Sequence, residues 1–153
     1  MTKIHWFAGA IIYRMVDGVL ELLLQDSTTT IPKYRWQGVQ TKFPGGRNKD
    51  HPEDSTFLDT LKRELFEELH IRLKDDSELK VIYDVIQGDH RKIFYLVSVE
   101  AFEGEIRQVP QWDATTILSV PRWVRVDESL YRKIYRTHRS AFRSAMLFLN
   151  KVS

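Results

Sequence analysis

The chain has 153 residues, a formal net charge of +2, 42% hydrophobic residues and 29% charged residues. This composition is typical of a globular protein and excludes long disordered or fibrous segments. The length suits one domain over residues 1–153, and no apolar run approaches the roughly 18 residues of a membrane helix. Because the chain has no cysteine, disulfides, thiolate nucleophiles and cysteine-based metal sites are excluded. We expect a cytoplasmic protein with no membrane partner.

The first predicted element is a β-hairpin over residues 6–25. Its apolar runs, WFAGAIIYRMV and VLELLLQ, flank Asp17-Gly18, a dipeptide that favours the positive φ angles of a tight turn. Residues 26–39 are polar and lack periodicity, which predicts a surface loop.

The segment FPGGR follows this loop. Pro44, Gly45 and Gly46 predict an interruption of regular structure in which the backbone approaches another group closely. Residues 47–54 continue as a polar loop.

A helix is predicted next, with its N-cap at Asp54 or Ser55 and its end near Leu69. The helical period places four leucines on one stripe, which we expect to be buried. They are Leu58, Leu61, Leu65 and Leu69.

Three glutamates, Glu64, Glu67 and Glu68, lie beside that stripe. Helix positions i, i+3 and i+4 share a face, so their like charges repel. The simplest interpretation is a solvated helix face, on which the glutamates pair with Lys62 and Arg63. At about 100° per residue, however, the carboxylates begin beside the leucine stripe, with Glu68 nearest, whereas a solvated face would lie opposite it. This placement favours a cation site.

The remaining chain predicts strands over residues 79–87 and 91–102, a mixed loop over 103–120, and a short strand at PRWVRV. A helical pattern runs from Ser129 to Leu149. Because strands, a helix, strands and a helix follow in order, we expect the α/β (α+β) class, with a mixed sheet covered by helices.

The C-terminal segment is strongly basic. Residues 129–153 hold six basic and no acidic residues, and four arginines fall on one helical face, namely Arg132, Arg136, Arg139 and Arg143. Such a face either binds phosphates or RNA or is the solvated side of a docked helix, and we favour the second interpretation.

The PGG loop followed by RELFEE resembles the Nudix box, G-x5-E-x7-R-E-U-x-E-E-x-G-U, of the Nudix hydrolases. The flanking AGAII strand and the RWV segment before a C-terminal helix also resemble that family. The resemblance implies a Nudix-like α/β/α sandwich, with a mixed sheet packed between helices. The matching residues are Gly45, Gly46, Arg63, Glu64, Leu65, Glu67, Glu68 and Ile71.

Two positions depart from the pattern. The loop before Arg63 is three residues longer than in the family, so that Ser55 stands where the first box glutamate would fall and Glu53 is the nearest substitute. His70 replaces the later glycine, at a helix end where a left-handed residue is often needed and histidine is tolerated.

The resemblance implies a pyrophosphohydrolase with Mg²⁺ as cofactor and Mn²⁺ as a substitute. Mg²⁺ prefers hard oxygen ligands, which Glu64, Glu67, Glu68 and the carbonyl of Gly45 would supply. A box glutamate or another acid would accept the proton of the attacking water, and Arg63 would orient the glutamates. A further acid is expected after the helix, with candidates at Glu100, Glu103, Glu105 and Asp113.

The implied reaction cleaves the pyrophosphate linkage of a nucleoside diphosphate joined to another moiety, most simply a small nucleotide. Arg47 and Trp36 are the candidate substrate contacts. The indoles of Trp36 and Trp112 offer faces for a base, although core or loop packing is the favoured role for each. His51 is a further contact candidate. The alternative function is a nucleotide or RNA sensor without turnover. RNA is a less favoured partner than a small nucleotide. The oligomeric state is open between monomer and homodimer.

Overall fold

The computed structural model describes residues 4–74, 79–113 and 115–152. Strands β1 (His5–Val16) and β2 (Val19–Thr29) form the predicted hairpin. Its turn is confirmed by positive φ angles of 50° at Asp17 and 78° at Gly18.

The other strands and helices follow in chain order. They are β3 (Gln40–Lys42), β4 (Gly45–Arg47), α1 (Phe57–Leu69), β5 (Arg72–Leu73), β6 (Lys80–Gln87), β7 (His90–Ser98), β8 (Phe102–Glu103), β9 (Gln111–Asp113), β10 (Thr116–Leu118), β11 (Arg122–Arg125), α2 (Leu130–Lys133) and α3 (Arg139–Val152), with short 3-10 helices at Pro32–Gln37, Val99–Ala101 and Arg136–His138.

A mixed sheet forms the middle layer. Over the described ranges it has the order β6-β7-β1-β2-β10-β9, while β3 and β11 pair with β2 and β4 pairs with β1. The β1–β7 pair is parallel, and the β1–β2, β1–β4 and β6–β7 pairs are antiparallel. This arrangement confirms the predicted mixed sheet.

Helices cover both faces of this sheet, because alternate residues of a strand point to opposite sides. On one face Ala8, Ala10 and Ile12 of β1 pack in a cluster with three leucines of α1, namely Leu61, Leu65 and Leu69. On the other face Ile11 packs in a cluster with Phe142 and Ala145 of α3. The predicted leucine stripe is therefore buried, apart from half-buried Leu58.

Helix α1 begins after Thr56, so the predicted N-cap at Asp54 or Ser55 is wrong. The Thr56 side chain accepts from the Asp59 backbone N–H, and the Asp59 carboxylate accepts from that of Thr56. This reciprocal capping box satisfies backbone donors of the first turn, and it leaves Asp54 free for another contact.

Two loop predictions are corrected by strand pairing. Residues 26–39 are not entirely loop, because β2 continues to Thr29 and its Ser27–Thr29 segment pairs with β10. Residues 103–120 contain the β9–β10 hairpin. Each added strand has only three residues, too few to show a period in the sequence.

The predicted continuous C-terminal helix is also corrected. It is interrupted between α2 and α3, because Ile134 bridges to Thr41 and the backbone N–H of Tyr135 donates to the Thr41 carbonyl at 2.7 Å. Ile134 and Tyr135 thus join the edge of β3 instead of extending a helix. Among the described helices, none has the length and apolar character needed to span a membrane.

His70 ends α1 in the left-handed conformation, with φ 64° and ψ 29°, as predicted. Its side chain is exposed, so a substitution there acts mainly through the backbone. We expect His70→Val to lower the free energy of unfolding by about 1–2 kcal/mol, because a β-branched residue is strained in this region. Urea denaturation measures the change, and His70→Asn is the matched control that tolerates the conformation. Equal stability of the two variants would contradict this expectation.

Candidate active site

The FPGGR segment brings the backbone against β1 and α1. Gly45 has φ 155°, and a Cβ there would lie 2.5 Å from the Ala8 carbonyl oxygen. A Cβ on Gly46 would collide with the Glu64 carboxylate. The predicted close approach is therefore present, but the predicted irregular backbone is wrong, because β4 pairs Gly45 with Gly9 and Gly46 with Ala8.

Glu64 and Glu68 form a pair of interacting carboxyl groups at this position. Burial and the nearby charge of Glu64 raise the pKa of Glu68 to about 8, against the opposing hydrogen bonds from Gly45 and Gln25. Burial also raises the pKa of Glu64, although Arg63 opposes that shift. Both shifts have the direction expected when desolvation and like charge disfavour ionisation, so the pair is suited to a bound cation.

Glu67 lies further out, with 49% of its side chain exposed. It accepts a hydrogen bond from Arg63 Nη1 at 3.2 Å, and the same nitrogen donates to Glu64 at 2.9 Å. In the described part of the chain, no three acidic or imidazole side chains converge in a ready-made metal cluster. Arg63 thus connects Glu67 with Glu64 while Glu68 lies deeper.

Asp54 is the acid that holds Arg63 in place. Its carboxylate accepts from Nε and Nη2 of Arg63 and from the Thr60 hydroxyl, at 3.1, 2.9 and 2.8 Å. Although burial favours a higher value, the bonds from Arg63 and Thr60 lower the pKa of Asp54. The two residues that the sequence analysis linked to the first box glutamate lie elsewhere. Glu53 contacts His51 at 3.1 Å, and Ser55 is exposed.

A cleft of about 540 Å³ opens beside Glu68. Its walls are both cationic and aromatic. The lining residues include Phe7, Gln25, Lys42, Phe43, Gly45, Gly46, Arg47, Glu68, His90, Lys92, Asp113, Tyr135 and His138.

The cationic wall follows from strand register. Across β1, Phe7 pairs with Arg47 on one side and with Lys92 on the other, so the three side chains form one row. His90 lies two residues from Lys92 on the same face of β7. Burial is the main cause that lowers the pKa values of Lys92 and His90, and the nearby charge of Arg47 lowers them further. Arg47 and Lys92 are therefore two neighbouring positive charges suited to an anion, while the lowered pKa makes His90 a neutral hydrogen-bonding imidazole near pH 7.

The aromatic wall is built by the break in the C-terminal helix. His138 stacks on Phe43, with ring planes 5° apart and centroids 6.0 Å apart, and its Nδ1 accepts from the Phe43 backbone N–H at 3.2 Å. Burial, with Lys42 and Lys92 nearby, lowers the pKa of His138 to about 3. The imidazole is accordingly neutral at pH 7 and serves as an aromatic surface.

Several predicted contacts lie outside the cleft lining. Trp36 and Trp112 are 80% and 74% exposed, so a core position is wrong for both, and neither lines the cleft. Asp113 is the one of the four candidate acids that does line it. Within the predicted arginine stripe, Arg139 donates to the carbonyls of Ile134 and Arg132, and Arg143 donates to the Tyr131 hydroxyl.

The sequence analysis did not place several residues at or behind the site. His90 and Lys92 had a usable signal, because they share strand parity with buried Phe94 and therefore face inward. The isolated polar residues carry no local signal of their contacts. The missed residues include Gln25, Lys42, Asp54, His90, Lys92 and Arg107, together with the aromatic residues Phe7, Phe43 and Tyr135.

Comparison with known proteins agrees with this geometry. The family model of the NUDIX domain matches residues 5–145. The chain therefore belongs to the NUDIX domain family. No curated protein matches its sequence.

Solved structures share the fold. A MutT NUDIX hydrolase from Burkholderia pseudomallei has a TM-score of 0.59 at 23% identity, covering 92% of this chain and 96% of that one. The NUDIX domain of Shewanella oneidensis NrtR, complexed with ADP ribose, has a TM-score of 0.61 at 16% identity, with coverages of 97% and 90%. A C. elegans Ap4A hydrolase has a TM-score of 0.55 at 16% identity, with coverages of 97% and 99%. At these identities the likeness establishes the fold alone.

The Asp54–Arg63 pair is buried, with side chains 4% and 14% exposed. We expect Asp54→Asn to lower the free energy of unfolding by roughly 2–3 kcal/mol near neutral pH, because it removes the buried carboxylate that accepts from Nε and Nη2 of Arg63, while the bonds of Arg63 to Glu64 and Glu67 remain. Since the folded pKa lies below the ordinary 3.8, the pair stabilises fully above that value and loses its effect as the pH falls through the folded pKa. The gap between the wild type and Asp54→Asn should narrow accordingly in denaturation series at several pH values.

The matched control is Asp84→Asn. Asp84 makes a similar two-point contact with Arg91, at 2.9 and 2.7 Å, but both side chains are 34% exposed. Its loss should be much smaller, because water screens an exposed pair. Equal losses in the two variants would contradict a special role for the buried pair.

Proposed function

We propose that this chain is a Mg²⁺-dependent hydrolase that cleaves the pyrophosphate linkage of a nucleoside diphosphate joined to another moiety. The observation that carries this proposal is the half-buried Glu64–Glu68 pair at the edge of a cationic cleft. In this proposal, residues 1–153 form one catalytic domain.

The donor set fits Mg²⁺. The pair offers hard carboxylate oxygens, and the raised pKa values of both groups mean that two negative charges there need compensation. Glu64 and Glu68 would hold the ion, with Glu67 and the Gly45 carbonyl completing the proposed set. When bound, the ion supplies charge compensation for the phosphate oxygens and an activated water.

The protein contributes positioning around this pair. Arg63 holds Glu64 and Glu67 at 2.9 and 3.2 Å, and Asp54 fixes the guanidinium in turn. One carboxylate near the water accepts its proton, and Asp113 is a further candidate because it lines the same cleft. The step is a water attack on phosphorus, in which one P–O bond forms and the bridging P–O bond breaks.

The cleft favours a small nucleotide as substrate. Its volume of about 540 Å³ lies within the range usual for small-ligand sites. Arg47, His90 and Lys92 would face phosphate oxygens, while Phe7 and His138 offer aromatic surface to a base. The names of two structural neighbours include Ap4A and ADP ribose, which supports nucleotides with two linked halves among the candidates. RNA is less favoured, because Arg139 and Arg143 bind other parts of the protein.

Glu68→Gln should lower kcat with Mg²⁺ by at least about a hundredfold. The carboxylate would contribute to holding an ion that supplies several kcal/mol of transition-state stabilisation. The measurement is phosphate or nucleotide release from nucleoside triphosphates, dinucleoside polyphosphates and nucleotide sugars, with Mg²⁺ or Mn²⁺.

Exposed Glu128→Gln is the matched control and should leave kcat unchanged. Full activity of Glu68→Gln would overturn the proposed mechanism. Nucleotide binding without turnover by the wild type on every substrate would instead support the sensor function.

Lys92→Gln should raise KM about tenfold to a hundredfold with a smaller change in kcat. A bond from a charged donor contributes about 1.5–3 kcal/mol, and the Lys92 ammonium lies in the cleft near the Thr137 carbonyl, 3.2 Å away. Steady-state kinetics measure the split between KM and kcat. Exposed Lys133→Gln is the control, and an unchanged KM in Lys92→Gln would remove this lysine from the phosphate contacts.

A further inference from the structure

Arg107 is a buried guanidinium behind the candidate active site, with 3% of the residue exposed. It donates to the Glu68 carbonyl at 2.7 Å, to Gln25 Oε1 at 3.1 Å and to the Ser119 carbonyl at 2.9 Å, and also to the Val109 carbonyl. None of these four acceptors is a carboxylate. Burial of a charge costs free energy, and here only neutral acceptors bind the buried guanidinium directly.

The contact with Arg107 determines which way the Gln25 amide points. Arginine has only donors, so the Gln25 atom facing it must be the oxygen. The amide nitrogen is thereby turned towards Glu68, and its Nε2 donates to Glu68 Oε2 at 2.7 Å. Gln25 is itself buried, and its amide joins the two charged side chains.

The Gln25 bond restrains one oxygen of Glu68. Oε2 accepts from Gln25 and also from the Gly45 backbone N–H at 3.3 Å. Arg107 meanwhile holds the backbone carbonyl of Glu68, and its own backbone N–H donates to the Leu69 carbonyl at 3.0 Å. The side chain and the main chain of Glu68 are therefore restrained by one arginine, through Gln25 and directly.

We propose that Arg107 is a positioning residue that acts through Gln25 to orient the Glu68 carboxylate for a divalent cation. This role rests on the proposed function, because it assumes that Glu68 binds the ion. Arg107 touches neither substrate nor ion.

A purely structural role makes a different prediction. A cation at the end of α1 would satisfy terminal carbonyls and interact favourably with the helix dipole without involving the Gln25 amide. Comparison of the single and double replacements of Gln25 and Arg107 then separates the two roles, because a structural Arg107 would act independently of Gln25. Gln25→Met keeps a buried side chain of similar length and leaves Arg107 with its carbonyl acceptors.

The test is Mn²⁺ binding to the full chain, measured by calorimetry and by the electron paramagnetic resonance of free Mn²⁺. Residues that orient metal ligands typically change affinity by about tenfold to a hundredfold when replaced, and we expect this loss for Gln25→Met and for Arg107→Lys. The double variant should bind Mn²⁺ no more weakly than the weaker single variant, because both changes break one connection.

Arg139→Lys is the matched control, since Arg139 also donates to two backbone carbonyls but lies away from Glu68. It should leave Mn²⁺ affinity unchanged, and thermal unfolding monitors the folding of every variant. Unchanged affinity in folded Gln25→Met would overturn the positioning role, as would additive losses in the double variant. If Arg107→Lys does not fold, unchanged affinity in folded Gln25→Met still overturns the positioning role.

The two proposals fail in distinguishable ways. Wild type that binds no Mn²⁺, or binds it equally well after Glu68→Gln, would contradict the proposed function. Binding that depends on Glu68 but is unaffected by Gln25→Met would overturn only the role of Arg107.

Discussion

Close packing at β1 is the constraint on which the candidate site depends. Ala8, Gly9 and Ala10 leave room for α1 on one face of the strand and for the backbone of β4 along its edge. The glycines of β4 are needed because side chains there would meet the Ala8 carbonyl and the Glu64 carboxylate. Glu64 and Glu68 are thereby pressed together with little water around them, where like charges repel more strongly than in solvent.

Two polar networks offset this cost from opposite ends of α1. Near the beginning of the helix, Asp54 holds Arg63, which contacts Glu64 and Glu67. At the end, Gln25 and the Gly45 backbone donate to Glu68. Because these partners come from different loops and strands, the carboxylates keep their places only in the folded chain. A bound cation would complete the compensation that the networks begin.

Sequence patterns were sufficient where one element carries its own signal. The Asp17-Gly18 turn, the leucine stripe and the left-handed His70 depend on local backbone geometry and periodicity, and all three were predictable. The predictions failed where distant partners decide. Thr56 is the N-cap of α1, and Asp54 rather than Glu53 binds Arg63. The three-residue strands β9 and β10 form through pairing with each other and of β10 with β2.

The sequence by itself determined the first hairpin, helix α1, the strands β6 and β7, the family motif and the face of α1 that carries the glutamates, because these follow from patterns within a few residues. Only the tertiary structure decided the walls of the cleft. Arg47 and Lys92 lie 45 positions apart in the chain and become neighbours of Phe7 through the register of β1. Likewise His138 reaches Phe43 because Ile134 and Tyr135 bind Thr41 and interrupt the last helix. Such contacts depend on long-range pairing, for which a single sequence holds no periodic signal.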